Sequence, residues 1–138
     1  MKTILLFLLF GCLTQNTMND ILIDNIRESY LNDESFEVTL NNRATSTLFY
    51  YVGIECYINE EWREVVNDIT NPKSKSSKIS KVNSNETKNI SFAIDSVLND
   101  FNPNFDKYRL KINYGSKVGK IDKLLFSESF KIYKKIKK

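Results

Sequence analysis

Lys107-Tyr108-Arg109-Leu110-Lys111-Ile112-Asn113-Tyr114 alternates polar and apolar side chains through eight positions. A helix would spread its apolar members around the circumference. A strand puts Tyr108, Leu110, Ile112 and Tyr114 on one face and Lys107, Arg109 and Lys111 on the other. The same period recurs along the chain. Phe36, Val38 and Leu40 oppose Glu37 and Thr39, ending at Asn41-Asn42, while Ile90, Phe92 and Ile94 alternate after the polar turn 83–87. Residues 47–52 (TLFYYV) suit a central strand. Ile54-Glu55-Cys56-Tyr57-Ile58, the polar Asn59-Glu60-Glu61 and residues 62–66 then read as a hairpin. Phe126, Phe130 and Ile132 are assigned to one last strand. Residues 96–101 (SVLNDF) are expected to form a short helix capped by Asp95 or Ser96. Residues 21–31 fit both periods and are read as strand.

Short strands with frequent turns, and one Lys/Ser loop at 73–81, predict an all-β fold. The expected architecture is a single sandwich of about seven antiparallel strands. The ordered pieces are Phe36-Glu37-Val38-Thr39-Leu40-Asn41-Asn42, the Tyr57…Trp62…Val65 hairpin, the turn before Ile90-Ser91-Phe92, and Lys107-Tyr108-Arg109-Leu110. In that order they resemble the immunoglobulin-like domains of small bacterial secreted proteins, over roughly residues 35–132. The chain departs from antibody-type domains in lacking paired inter-sheet cysteines. The resemblance implies a fold and a tendency toward binding roles, and some relatives resemble proteinase inhibitors. It names no ligand.

The amino-terminal segment suggests an address. Lys2 precedes seven consecutive apolar residues at 4–10, a run far too short to span a bilayer but suited to a secretory leader. It ends in Leu8-Leu9-Phe10-Gly11-Cys12, which resembles the lipobox of bacterial lipoproteins, although Phe10 stands where a small residue is usual. The resemblance implies that residues 1–11 are a signal peptide, removed so that Cys12 becomes an acylated amino terminus. The expected organisation is then leader 1–11, tether 12–20, immunoglobulin-like sandwich 21–133 and basic tail 134–138. Cys56, flanked by Ile54 and Ile58, is read as a core thiol, with a Cys12–Cys56 disulfide as the rival for an unlipidated chain.

Composition excludes much chemistry. The chain has no histidine, which removes Ser-His-Asp and Cys-His nucleophile systems and histidine zinc sites. A single cysteine beyond the leader removes thiolate clusters and CxxC redox chemistry. Neither catalytic residues, nor a metal, nor a cofactor is expected. The alternating oxygens of 100–106 (DFNPNFD) fail as a calcium loop because Phe105 replaces the turn glycine and Lys111 the bidentate glutamate. Glu60, Glu61 and Glu64 near Trp62 are read as solvated, and Trp62 as a core or sheet-covering residue. Asp106-Lys107-Tyr108 resembles the entry to a late sandwich strand at which a Tyr hydroxyl ties the corner to the backbone.

Charge is distributed unevenly. Residues 12–66 carry 3 basic and 10 acidic side chains, a net of −7, whereas residues 67–138 carry 16 and 7, a net of +9. Strands of a sandwich interleave, so this asymmetry need not become a surface patch, and no nucleic-acid partner is expected. The Lys-rich end 131–138 is expected to be a solvated tail. The sequence therefore predicts a non-enzymatic, membrane-anchored lipoprotein at the bacterial cell envelope. It would be held by lipid on Cys12 and bind a protein or glycan through its immunoglobulin-like domain, with loops 67–89 and 96–106 the first places to look. The alternative is an inhibitor or protective partner of a protease or toxin.

Overall fold

The computed structural model describes residues 19–98 and 107–136. Cys12, the 100–106 loop, Asp106 and residues 99–101 of the expected helix lie outside them. The described chain is an immunoglobulin-like β-sandwich. One sheet has the order β1 (Ile21–Asp24), β3 (Ser35–Asn42), β7 (Thr87–Ala93). The other runs β5 (Glu61–Val66), β4 (Leu48–Ile58), β8 (Lys107–Gly115), β9 (Lys123–Phe126), with β6 (Ser80–Val82) also on β4. The chain crosses between sheets after β3, β6 and β7. These pairings are antiparallel. A short parallel pair, β2 (Ser29–Leu31) with β10 (Lys131–Tyr133), closes one flank. Because the first and last strands are each broken in two, and β6 forms at the end of the stretch expected to be the 73–81 loop, the described residues hold ten strands.

Residues 21–31 are strand, as read, but interrupted. Asn25 sits at φ 67°, a left-handed conformation in which the chain leaves β3 before β2 meets β10. The segments read at 47–52 and 54–58 join in one strand, Leu48–Ile58, since Gly53 continues the ladder. Asn59 (φ 50°) and Glu60 (φ 64°) make the tight turn to β5, the left-handed pair that two-residue hairpins require. The helix α1 is Ile94–Val97, starting earlier than expected. Its cap is Ala93 with no side-chain bond, so neither Asp95 nor Ser96 serves, because Ile94 is buried and draws the first turn toward the core.

The core follows the alternation. Val52, Ile54 and Cys56 of β4 pair with Ile112, Leu110 and Tyr108 of β8, all buried, and face Phe36, Val38, Leu40, Ile90 and Phe92 of the other sheet. Phe36 lies 4.8 Å from Phe92, 4.6 Å from Tyr30 and 4.9 Å from Phe130, joining four strand segments in one aromatic cluster. Cys56 is a free, buried thiol, its pKa raised by burial. Tyr108 is a core residue exchanging backbone bonds with Phe130 (2.8 and 2.9 Å). Phe126 departs from the expectation. The chain turns at Ser127, whose Oγ accepts the Leu110 N–H at 2.9 Å, so Phe130 and Ile132 go inward while Phe126 stays on the outer face. The expected solvated tail is held through Lys135, whose N–H donates to Asn32 Oδ1 (2.8 Å) and whose Nζ meets Asp33 (2.6 Å).

Two polar side chains fasten loops. Buried Asn42 donates to the carbonyls of Ser46, Val82 and Asn83 and accepts the Ala44 N–H. Buried Asp68 accepts from Thr70 and from the Lys78 N–H, tying down the start and end of the Lys/Ser loop.

Gly53 is required by close approach. A Cβ there would meet the carbonyl oxygens of Val66 at 2.6 Å and Asn67 at 2.8 Å, both backbone, whereas one on Gly119 would meet nothing within 4 Å. Gly53→Ala is expected to destabilise by about 2 kcal/mol, with Gly119→Ala near neutral. Urea unfolding of both variants checks this, and equal midpoints would refute the crowding argument. Burial also raises the phenol pKa of Tyr50, Tyr108 and Tyr114 above the ordinary 10.0. The folded state therefore holds its phenols neutral when the unfolded chain has begun to ionise. That stability is complete below about pH 10 and lost as pH rises through the raised values. Absorbance titration at alkaline pH should show these three ionising only together with loss of folded circular dichroism. Ionisation of every tyrosine before unfolding would contradict it.

Candidate functional site

The outer face of the five-stranded sheet is where side chains of different strands converge. Antiparallel register places Trp62, Tyr57 and Lys107 in one cross-strand row. Glu64, Glu55 and Arg109 form the next, and Lys111 lies opposite Phe126. Alternation puts all of these outward because their neighbours Cys56, Tyr108 and Leu110 are in the core.

Arg109 organises the face. Its guanidinium carbon lies 4.1 Å from the Trp62 ring centre and 3.6 Å from that of Phe126, so the two rings clasp the cation. Its Nε and Nη2 donate to Glu55 Oε2 at 2.8 and 2.7 Å. Glu55 is only 7% exposed although it points outward, because Arg109 and Lys111 close over it. Glu64 stands directly opposite Glu55 on β5, a repulsive pair of like charges. Lys111 relieves it, its Nζ 3.1 Å from Glu64 and 3.8 Å from Glu55. Lys107 caps the row, 4.8 Å from the Tyr57 ring centre and 5.7 Å from that of Trp62. Trp62 and Tyr57 pack at 5.2 Å. Phe126 is 36% and Leu124 49% exposed, so the aromatic patch runs on to the sheet edge as an apolar rim.

Beside this rim, a groove of about 410 Å³ separates the free edges of β1 and β9, lined by Ile21, Ile23, Ile26, Leu125 and Phe126. Lys123 and Asp20 (2.8 Å) bridge its two sides at one end.

Trp62 is the sheet-covering residue the sequence suggests. Glu60 and Glu61 sit at the hairpin turn, exposed, and Glu64 is spent on Lys111. Loop 67–79 is fastened by Asp68, residues 99–106 of the second expected loop lie outside the described residues, and the side chains that converge on this face come from strands. Glu55, Arg109 and Phe126 were not singled out in the sequence. The available signal was the pairing of 54–58 with 107–111, which sets an acidic and a basic residue opposite each other. Among the described residues no group of three His, Cys, Asp or Glu side chains could hold a metal ion, and no helix is long and apolar enough to cross a membrane.

No family model and no curated protein matches the chain. Among solved structures it is similar to the ASH / PapD-like domain of human CEP192 (PapD-like domain 7), at 8% identity, with 83% of each chain covered and a TM-score of 0.37. That likeness is too loose to assign a family or a role.

Removing Arg109 should leave Glu55 as an enclosed charge with only Lys111, at 3.8 Å, to offset it, and uncover Trp62 and Phe126. Arg109→Ala is expected to cost about 2 kcal/mol, less than the 3–5 typical of fully buried pairs because a fifth of the Arg109 side chain remains exposed. Glu55→Gln with Arg109→Met should recover much of that loss, while Lys107→Ala should cost under about 0.5 kcal/mol. A double-mutant cycle from chemical denaturation measures each value, and additive single effects would remove the coupling.

Proposed function

We propose that the protein is a non-enzymatic lipoprotein of the bacterial cell envelope, anchored by acylation of Cys12, whose sandwich binds a partner protein through the outer face of the β5-β4-β8-β9 sheet. The carrying observation is the Trp62–Arg109–Phe126 stack. Solvent faces of sheets are ordinarily polar, and single exposed apolar residues mean little. Here Trp, Tyr and Arg, the side chains that dominate binding energy in protein interfaces, lie contiguous and partly exposed beside Phe126 and Leu124. Arg109 is held by Glu55 and the two rings, so the surface is preorganised and a partner would not have to order it. The leader ending in Gly11-Cys12 supports the envelope address.

Intact mass of protein extracted from membranes with detergent should show a chain beginning at Cys12 with added acyl mass, lost in Cys12→Ala. A photo-crosslinking residue at position 62 or 126 should then yield discrete adducts in envelope preparations. The same residue at Glu37, on the opposite sheet, should not. A full-length soluble chain would overturn the anchor, and adducts no stronger at 62 than at 37 would overturn the assigned face.

A further inference from the structure

The end of the sandwich from which the chain leaves toward Cys12 has a chemistry of its own. Asn19 and Asp20 open β1 there, and the Asp20 carbonyl accepts the Arg43 N–H at 2.7 Å. Lys123, paired with Tyr114 at the end of the β8–β9 hairpin, reaches Asp20 at 2.8 Å. The hairpin loop therefore stands at the same end. It closes with a bond from the Lys120 N–H to the Lys117 carbonyl (3.0 Å), leaving Val118-Gly119 at its tip. Val118 is 59% exposed, and a Cβ on Gly119 would meet nothing within 4 Å. The tip is thus an apolar residue between two lysines.

The carboxylates of this end neutralise only some of its cations. Asp20 is taken by Lys123, Glu86 by Lys88 (2.8 Å), and Asp122 lies 3.9 Å from Lys120. Among the described residues no carboxylate lies within 4 Å of Lys117 or Arg43, and both are exposed. At the opposite end, past Ile58, the β4–β5 hairpin presents Glu60 and Glu61. The β8–β9 end therefore carries exposed cations in excess of its carboxylates where the chain leaves toward Cys12, whereas at the other end Arg63 pairs with Glu61 at 3.4 Å.

We propose that this end docks on anionic phospholipid headgroups, with Lys117, Lys120 and Arg43 over the phosphates and Val118 entering the interface. The inference rests on the Cys12 anchor and deepens it. Seven peptide links from Cys12 to Asn19 reach at most about 25 Å. An acylated Cys12 thus holds the positive end within a short distance of the bilayer at high effective concentration. Each lysine beside an anionic surface then multiplies partition by roughly fivefold, and the attraction is screened by salt.

The test uses the mature acylated protein carrying Val118→Cys, labelled with an environment-sensitive nitrobenzoxadiazole. Cys56 is buried and the Cys12 thiol is consumed by acylation, so labelling is selective. Glu61→Cys, at the opposite end, is the control. The protein is reconstituted on vesicles of phosphatidylcholine alone or of equal parts phosphatidylcholine and phosphatidylglycerol. The label at 118 should brighten severalfold and be quenched by bilayer nitroxides only on the anionic vesicles. High salt or Lys117→Ala with Lys120→Ala and Arg43→Ala should abolish this while flotation persists. The label at 61 should stay water-like throughout. Flotation with a water-like label at 118 on both vesicles overturns the docking and leaves the anchor intact. Equal brightening on both vesicles overturns the role of charge. A protein without acyl mass that floats with neither overturns the anchor and this inference with it.

Discussion

The pairing of β4 with β8 is the constraint on which the rest depends. Nine successive partners, from Phe49 opposite Gly115 to Tyr57 opposite Lys107, align the two strands without interruption. Because side chains alternate, this register decides both faces at once. It sends Val52, Ile54 and Cys56 inward with Ile112, Leu110 and Tyr108, and sets Glu55 beside Arg109 outside. A slip of one residue would turn over the slipping strand, burying either Glu55 or else Arg109 and Lys111 and exposing that strand's apolar row, so hydrophobic burial selects the register strongly. Everything peripheral hangs from this pair. β5 and β6 share the remaining edge of β4, one at each end, and the chain between them returns through Ile69, whose N–H bonds the Val52 carbonyl at 2.8 Å. β9 extends from β8 and brings Phe126 over Arg109.

Alternation made the strands legible because it is a local property. Residues 36–42, 90–92 and 107–114 show it without ambiguity, and their faces are those the pattern assigns. Non-local events were not legible. Gly53 looks like an interruption between two segments, but it marks where the backbone of Val66 and Asn67 comes too close for a Cβ. Phe126 shares parity with Phe130 and Ile132, which implies one face only if the strand is continuous. The Ser127 contact to Leu110 breaks it. Ala93 caps the helix without a side chain because burial of Ile94 outweighs the preference for a polar cap.

The candidate face shows a deeper limit of pattern reading. Glu55 lies at an outward position, and parity alone makes it solvated. Its burial comes from two neighbouring strands at once: Arg109 and Lys111 from β8, and Trp62 clasping Arg109 from β5. Trp62 and Tyr57 were visible as a hairpin pair, but their relation to Arg109 requires the partner strand some fifty residues away. Strand identity is written locally, whereas the site is made by which strands become neighbours.

The same reasoning resolves the charge asymmetry between the two halves of the chain. Asp20–Lys123, Asp33–Lys135, Glu55–Arg109 and Glu64–Lys111 each join a carboxylate from the acidic half to a cation from the basic half. Three of these include exposed groups that solvent screens, so they contribute little and do not hold the fold together. Their consequence is spatial. Interleaving spends acidic residues against basic ones along the sheets and leaves the surplus at the turns, with lysines at the β8–β9 tip and glutamates at the β4–β5 tip. β4 separates these tips by eleven residues, some 35 Å at the ordinary strand rise. Trp62 and Tyr57 lie toward the acidic tip. Under the anchor proposed for Cys12, the sandwich would stand away from an anionic bilayer instead of lying on it, with the aromatic face turned sideways.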